Sequence, residues 1–472
     1  MTPQFLAGSL RDTSGPFRAL CLLLVAVFLM GGGARADIQS LALLRPLAIL
    51  LLFYGMARLN RGHIAANRFV LATALLSVLL LVLHLVPMPP HWWASLPHRE
   101  LVGDIDRVAG LGLVWRPLSL APDATWNALF AAMVPCAALV LGVQLDARER
   151  HMLLWPVLLL GGLSAVLAIA QITGPANSPL ALYKVTNDGA AVGLFANRNH
   201  QALLLATLLP VLAVWAAGRK SARPDSRIRT FVALLAGAAL LLLLLVTGSR
   251  AGLLLAAIAL ASIGLLVPQA AARRFFRAAG PAQSRTRLWT SLALAGLAAA
   301  LALLVALALW RGRGLALERL LESTPGEDMR FMILPSLLPM IRAYLPFGSG
   351  LGSFERVFQM HEPDGLLRPS YANHVHNDWL ELALTGGIPA LLLLLVALAA
   401  FLVRGRALFA NGLGASAELR LARLGLAVIL LAALASLGDY PLRVPSLACF
   451  FVLGVLWMSC PLPKNRPFDL PS

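Results

Sequence analysis

The sequence predicts an all-α polytopic membrane protein with about twelve membrane-crossing helices and one large outer loop of short amphipathic helices. Three observations predict it. Of 472 residues, 59% are hydrophobic and only 13% charged, whereas a soluble domain carries about 25% charged residues. The apolar residues fall in stretches close to the roughly 20 residues that a hydrocarbon core asks of a helix, and mean hydropathy is +0.78. Basic residues gather in alternate connections, as they do in cytoplasmic loops. The net charge of +17 therefore reflects topology, and no nucleic-acid partner is expected.

In order along the chain, the apolar stretches lie near 17–33, 40–57, 69–87, 124–145, 152–172, 201–217, 230–247, 251–267, 288–310, 388–403, 424–438 and 446–461. The connections RLNRGHIAANR, DARER, GRKSARPDSRIR, RRFFRAAGPAQSRTR and RGRALFANGLGASAELRLAR are short and basic, which puts both termini in the cytoplasm and the long loops outside. The first stretch ends in Ala34-Arg35-Ala36, a mimic of a signal-peptide cleavage site, and is read as a retained span. This divides the chain into nine spans (1–310), a large outer loop (311–387) and three final spans (388–472). Cys21, Cys136, Cys449 and Cys460 lie in or beside apolar runs without CxxC spacing, which disfavours disulfide or metal roles.

Three outer segments are long. The first, 88–123, carries PMPPHWWASLPH and Trp115, a pattern of interfacial aromatic anchoring. The second, 173–200, ends in FANRNH. In the third, 311–387, apolar residues at helical spacing alternate with Arg330, Arg342 and Arg356, which predicts amphipathic helices on the membrane surface.

Four constellations lie on this outer side. HVHNDWLELALTGG, 374–387, precedes an apolar run. Pro389 disfavours helix at the residue before it, and with Gly386-Gly387 it predicts a break, leaving a short surface helix over 377–385. His376 sits at the edge of that helix, with Asn377 and Glu381 one turn apart on it. A histidine there can take a proton from a hydroxyl; the plainer alternative is a solvated helix cap. In FANRNHQA, Asn197, Arg198, Asn199 and His200 either cap the next span or clamp an anion, since guanidinium pairs with phosphate in bidentate fashion. In TGSRAG, Arg250 stands at an outer turn where topology asks for no cation, and charge at such depth is usually functional. Gly348, Gly350 and Gly352 only superficially resemble a phosphate loop, because no strand precedes and no Lys-Ser/Thr follows; they predict a turn where backbone approaches a substrate or the membrane. There is no HExxH, GxSxG or Walker sequence. No metal site and no nucleotide cofactor are expected.

Taken together, NRNHQA before one span, TGSRAG after the next and HVHNDWLELALTGGIPALLLL closing a large outer loop resemble the O-antigen ligase and O-antigen polymerase superfamily of bacterial envelope glycosyltransferases. The resemblance covers about 190–400; the first 150 residues match in hydropathy alone. It implies a metal-independent, GT-C-like transferase of the bacterial inner membrane, acting at the periplasmic face. The donor it implies is a glycan on an undecaprenyl-diphosphate carrier. The acceptor would be lipid A–core, another glycan or a protein. By the same resemblance His376 takes the catalytic position and Arg250 and Arg330 hold the diphosphate. Arg198, His200 and Asn377 fall in polar clusters that line the substrate. One departure concerns TGGIPA, where many members carry an acidic residue before the first glycine.

The donor chemistry leaves three acceptor readings open: a ligase, a polymerase, and a protein O-oligosaccharyltransferase. A transporter of lipid-linked sugars is a different class, and the paired halves with broken helices that such folds favour are not visible in the sequence.

Overall fold

A computed structural model describes residues 13–174, 180–187, 189–218, 225–267, 329–367, 372–410 and 416–460. These residues form a helical bundle with helices α1 (Gly15–Met30), α2 (Leu41–Arg58), α3 (Arg61–Ala66), α4 (Arg68–Leu83), α5 (Pro90–Ala94), α6 (Glu100–Val108), α7 (Pro122–Gly142), α8 (Ala147–Met152), α9 (Leu154–Thr173), α10 (Arg198–Ala217) and α11 (Asp225–Val246). The chain continues through α12 (Arg250–Leu266), α13 (Met329–Tyr344), α14 (Phe354–Gln359), α15 (Asp378–Ala410), α16 (Ala417–Ala435) and α17 (Pro445–Met458). Among the described residues, the strand content is one two-residue antiparallel pair, Pro87–Met88 with Arg116–Pro117, which closes the first outer loop.

Every apolar stretch read from the sequence coincides with a helix, except 288–310, which lies outside the described residues. Among the described residues, six helical segments are long and apolar enough to cross a membrane: α2, α7, α8–α9 together, α10, the 229–246 part of α11, and α15. The helices α1, α4, α12 and α17 are shorter apolar helices, and α16 is 19 residues long with Glu418, Arg420 and Arg423 near its start. The expected count of twelve therefore stands as an expectation.

One helix is the axis of the bundle. The apolar window of α10 is 83% buried, against 17–39% in the other five candidates. It packs against α9, α11, α12 and α16, so whatever stands at its N-terminus is rigidly placed. At its other end the basic connections close the bundle. Arg420 donates to Gly218 O beyond α10, and Arg423 donates twice to Leu408 O near the end of α15. Arg150 donates to Leu456 O, and Arg404 to Met458 O and Cys460 O, at the end of α17. Carbonyls in the last turn of a helix have no partner within it, and cations complement the negative end of its dipole.

A second, smaller core lies in the large outer loop. Ile333, Leu337, Met340 and Tyr344 form one stripe of α13 and pack with Phe354, Val357 and Phe358 of α14, and with Val375 and Leu384. The helices α13 and α14 fall in the segment where surface helices are expected, and the buried stripe of α13 faces other protein and not a membrane surface.

The predicted break in the last third of the loop is a single residue. Gly387 takes φ 59°, ψ −155° between the surface helix and the span of α15, and Ile388 N donates to Pro346 O at 2.8 Å. The glycine turn is where the sequence reading needs correcting. Gly348, Gly350 and Gly352 all have positive φ, yet what they approach is protein. A Cβ would lie 2.5 Å from Thr385 O at Gly348, 2.2 Å from Ser119 Oγ at Gly350 and 2.8 Å from Ala124 O at Gly352. Ser349 N and Gly350 N donate to Leu384 O and Thr385 O. The turn is a backbone strap that fastens the end of the surface helix to the first outer loop.

A side chain at Gly387 would meet Pro346 O at 2.3 Å and require a left-handed backbone. Gly387→Ala is expected to destabilise the protein by about 1–3 kcal/mol, read as a lowered melting temperature in detergent. Gly365→Ala, where nothing lies within 4 Å, serves as the control and should stay within about 0.5 kcal/mol of the parent.

Candidate active site

Four helix N-termini converge at one end of the bundle, those of α10, α12, α15 and α17, and the polar residues sit in the turns leading into them. Asn197 caps α10 through Asn199 N at 2.8 Å. Ser249 caps α12 through Gly252 N at 3.0 Å, after Gly248 has turned the chain at φ 64°. Asn377 caps the surface helix, accepting from Trp379 N and Leu380 N. These are the residue types that satisfy the orphan N–H groups of a first turn.

The turn between α16 and α17 supplies the group that ties them together. Asp439, 5% exposed, accepts from Asn199 Nδ2 at 2.7 Å through Oδ2. Asn199 in turn accepts from Ser249 Oγ at 2.8 Å. The other carboxylate oxygen faces two histidines: His376 Nδ1 at 3.5 Å and His200 Nε2 at 3.7 Å. Both distances are beyond a hydrogen bond but within ion-pair reach. Burial alone would raise the Asp439 carboxyl, but the flanking His200 and His376 hold it well below the usual carboxylate range. The two histidines thus favour the carboxylate form in a largely dry place. Tyr440 fills the space beside it, its ring 4.4 Å from His374, 4.9 Å from His376 and 5.3 Å from His200.

His376 itself has φ +58°, a left-handed conformation uncommon for a residue with a side chain. Such strained residues cluster at functional sites. Behind it stands a second charged set. Glu381, 1% exposed, pairs with His374 Nδ1 and Arg443 NH2, each at 3.1 Å, and accepts from Val375 N. Arg443 also donates to Asp378, which accepts from Ser436 Oγ. This lattice fixes the backbone on both sides of His376.

The six residues singled out from the sequence are distributed as follows. His376 is at the centre, beside Asp439. His200 is buried (2% exposed) against Asp439 and Tyr440, so its place corrects the expectation that it lines the substrate: it sits behind the carboxylate. Asn377 is likewise committed to the fold, its oxygen to the helix cap and its amide to Leu437 O at 3.0 Å. Arg250 is the first residue of α12 and is exposed; Arg198 is the first residue of α10 and half-buried. Arg330 lies in the first turn of α13, and its side chain lies outside the described residues. Asp439, Tyr440 and Arg443 were not singled out, although GDYPLR places an acid and a base between two apolar runs.

Removing one partner of a buried charge set is costly because the remaining charge loses its compensation. Arg443→Met should destabilise the protein by about 3–5 kcal/mol. Adding Glu381→Gln should recover part of that loss, and additivity of the two changes in a double-mutant cycle would show that the pair is not coupled.

Residues 235–395, about a third of the chain, match the model of the O-antigen ligase family. The matched segment contains Arg250, Arg330, His374, His376 and Glu381, and it bears out the resemblance carried by TGSRAG and HVHND. Asn199, His200, Asp439 and Arg443 lie outside it. No curated protein matches the chain.

Proposed function

We propose that this chain transfers a glycan from an undecaprenyl-diphosphate carrier to an acceptor hydroxyl at the periplasmic face of the bacterial inner membrane, in the manner of an O-antigen ligase. The observation that carries the reading is the approach of strained His376 to the buried Asp439 at 3.5 Å, with His376 inside the 235–395 segment that matches the ligase family. Both termini then lie in the cytoplasm, where the arginine-closed end of the bundle belongs.

The chemistry follows from the residues. A carboxylate facing Nδ1 favours the imidazole tautomer protonated there and leaves Nε2 as the base. The acceptor hydroxyl gives its proton to His376 Nε2 as its oxygen bonds to the anomeric carbon, and the sugar–diphosphate bond breaks. Asp439 stabilises the imidazolium. The gap of 3.5 Å suits a pair that tightens when substrate arrives, as catalytic hydrogen bonds often do. Arg250 and Arg330 take the charge that develops on the leaving lipid diphosphate, a role in which fixed charges are effective. Because the donor is already activated, no nucleotide is consumed. A polymerase or a protein O-oligosaccharyltransferase would use this same donor side and differ in what presents the hydroxyl.

His376→Ala should abolish transfer of a lipid-diphosphate glycan while the protein still inserts and folds, and Asp439→Asn should lower turnover by about 10²–10⁴, the usual worth of general-base catalysis. His374→Ala, which leaves the base in place, should be milder. Turnover of His376→Ala within about twofold of the parent would refute the base assignment.

Arg250 separates charge from geometry. Lysine keeps the charge but lacks the planar fork that grips two phosphate oxygens, so Arg250→Lys should be poor and Arg250→Ala poorer, with every acceptor tried. Parent-like turnover of the lysine variant across donor concentrations would remove Arg250 from the diphosphate site.

A further inference from the structure

One cleft among the described residues lies away from the histidines. It has a volume of about 430 Å³ and lies between the outer half of α2 and α7, lined by Ile38, Leu41, Arg45, Pro46, Ile49 and Phe130, with Asp37 at its mouth. Its walls are apolar except at one place. Arg45, in the second turn of a candidate span, donates from NH2 to Asn127 Oδ1 at 2.7 Å. Its Nε is buried with no hydrogen-bond partner, and it forms no ion pair among the described residues. A half-buried cation with an unfilled donor near the end of a span is placed to take up an anion from the lipid headgroups. Asp37 does not supply the missing charge, because it is exposed and paired with Arg35 at 2.9 Å.

The surroundings fix the depth. Trp126, adjacent to Asn127, is exposed and stacks on Phe130 with ring centroids 5.9 Å apart. Tryptophan on an outward helix face settles at headgroup level, which puts Arg45 where lipid phosphates lie. Below it the outward face of α2 is bare apolar surface, with Leu50 and Phe53 exposed. The cleft thus offers a cation at phosphate depth above a groove fit for an alkyl chain. It is also a separate place from the donor side: α2 packs chiefly on α1 and α7, whereas α12, which carries Arg250, packs chiefly on α10 and α16. Yet it adjoins the transfer site through the backbone, because Ala196 N donates to Gly32 O at 3.0 Å.

We infer that this cleft is a second lipid subsite, in which Arg45 holds the phosphate of a lipid-anchored acceptor while the carrier lipid occupies the side of Arg250. The inference rests on the transfer reading, and it specifies the acceptor as a phosphate-bearing amphiphile.

The experiment uses the full chain in nanodiscs, with the acceptor lipid either intact or stripped of its phosphates. Arg45→Gln should raise the KM for intact acceptor about tenfold, the scale of one lost charge-assisted hydrogen bond, and leave the donor KM and kcat at the parent values. Phosphate-free acceptor should show the same rise with the parent and no further rise with the variant. Ile49→Trp, which fills the groove and keeps the cation, should reproduce the effect. A rise in donor KM would assign the cleft to the carrier, and unchanged constants in both variants would dismiss the subsite; either result overturns the proposal. If no acceptor is turned over at all, the transfer reading fails. Native mass spectrometry with phosphatidylglycerol as probe then decides the subsite: one lipid fewer on Arg45→Gln keeps it, and equal retention removes it.

Discussion

A single buried carboxylate organises the outer end of this protein. An unpaired anion in a dry setting is too costly to persist, so Asp439 must be surrounded, and the groups that surround it come from three distant parts of the chain. Asn199 and His200 arrive on the central helix α10 and His376 on the large outer loop, while Ser249 acts through Asn199. Each of these turns also begins a helix. Satisfying one anion therefore sets the relative height of α10, α12 and the surface helix. The strained backbone at His376 is tolerated because the Glu381, Arg443 and Asp378 set clamps the chain on either side of it.

Much of this was legible in the sequence, for identifiable reasons. Spans are legible because lipid imposes one length and one composition on them, and the break at Gly387 because proline and glycine restrict the backbone locally. Arg250 and His376 stand out because polar residues at the mouth of an apolar run need an explanation. Asp439, by contrast, is a lone acid in a short turn, and nothing in hydropathy says which turns meet across a bundle. The same blindness to long-range contact explains the glycine strap. Positive φ was foreseeable at Gly348, Gly350 and Gly352, but the surface each one presses on, Thr385, Ser119 or Ala124, belongs to segments 37 to about 230 residues away in the chain. His200 and Asn377 fall in the cluster, and their side chains turn inward to the carboxylate and to backbone.

The two cores divide the labour. The bundle core holds α10 and with it Asn199 and His200, while the outer core of α13 and α14 includes Val375 and Leu384, the residues that flank the His376 turn and close the surface helix. The histidine thus rides on the outer core and its carboxylate partner on the bundle. Their separation depends on how those two bodies seat, and the glycine strap with its bonds to Leu384 O and Thr385 O is one of the seats.

The arginines at the far end of the bundle acquire a meaning from where their helices begin. Arg420, Arg423, Arg150 and Arg404 bind carbonyls at or near the ends of α10, α15 and α17; of these, α10 starts beside Asp439 and α17 follows its turn, while the span of α15 starts at the Gly387 break. Peptide dipoles aligned along a helix leave about half a positive charge at its start and half a negative one at its end. At the central helix α10 a guanidinium group meets the negative end and the Asp439 carboxylate lies at the positive one, so both poles face charge of the opposite sign. Any shift of the central helix along its axis would therefore part opposite charges at both of its ends, which makes its height in the bundle a fixed quantity.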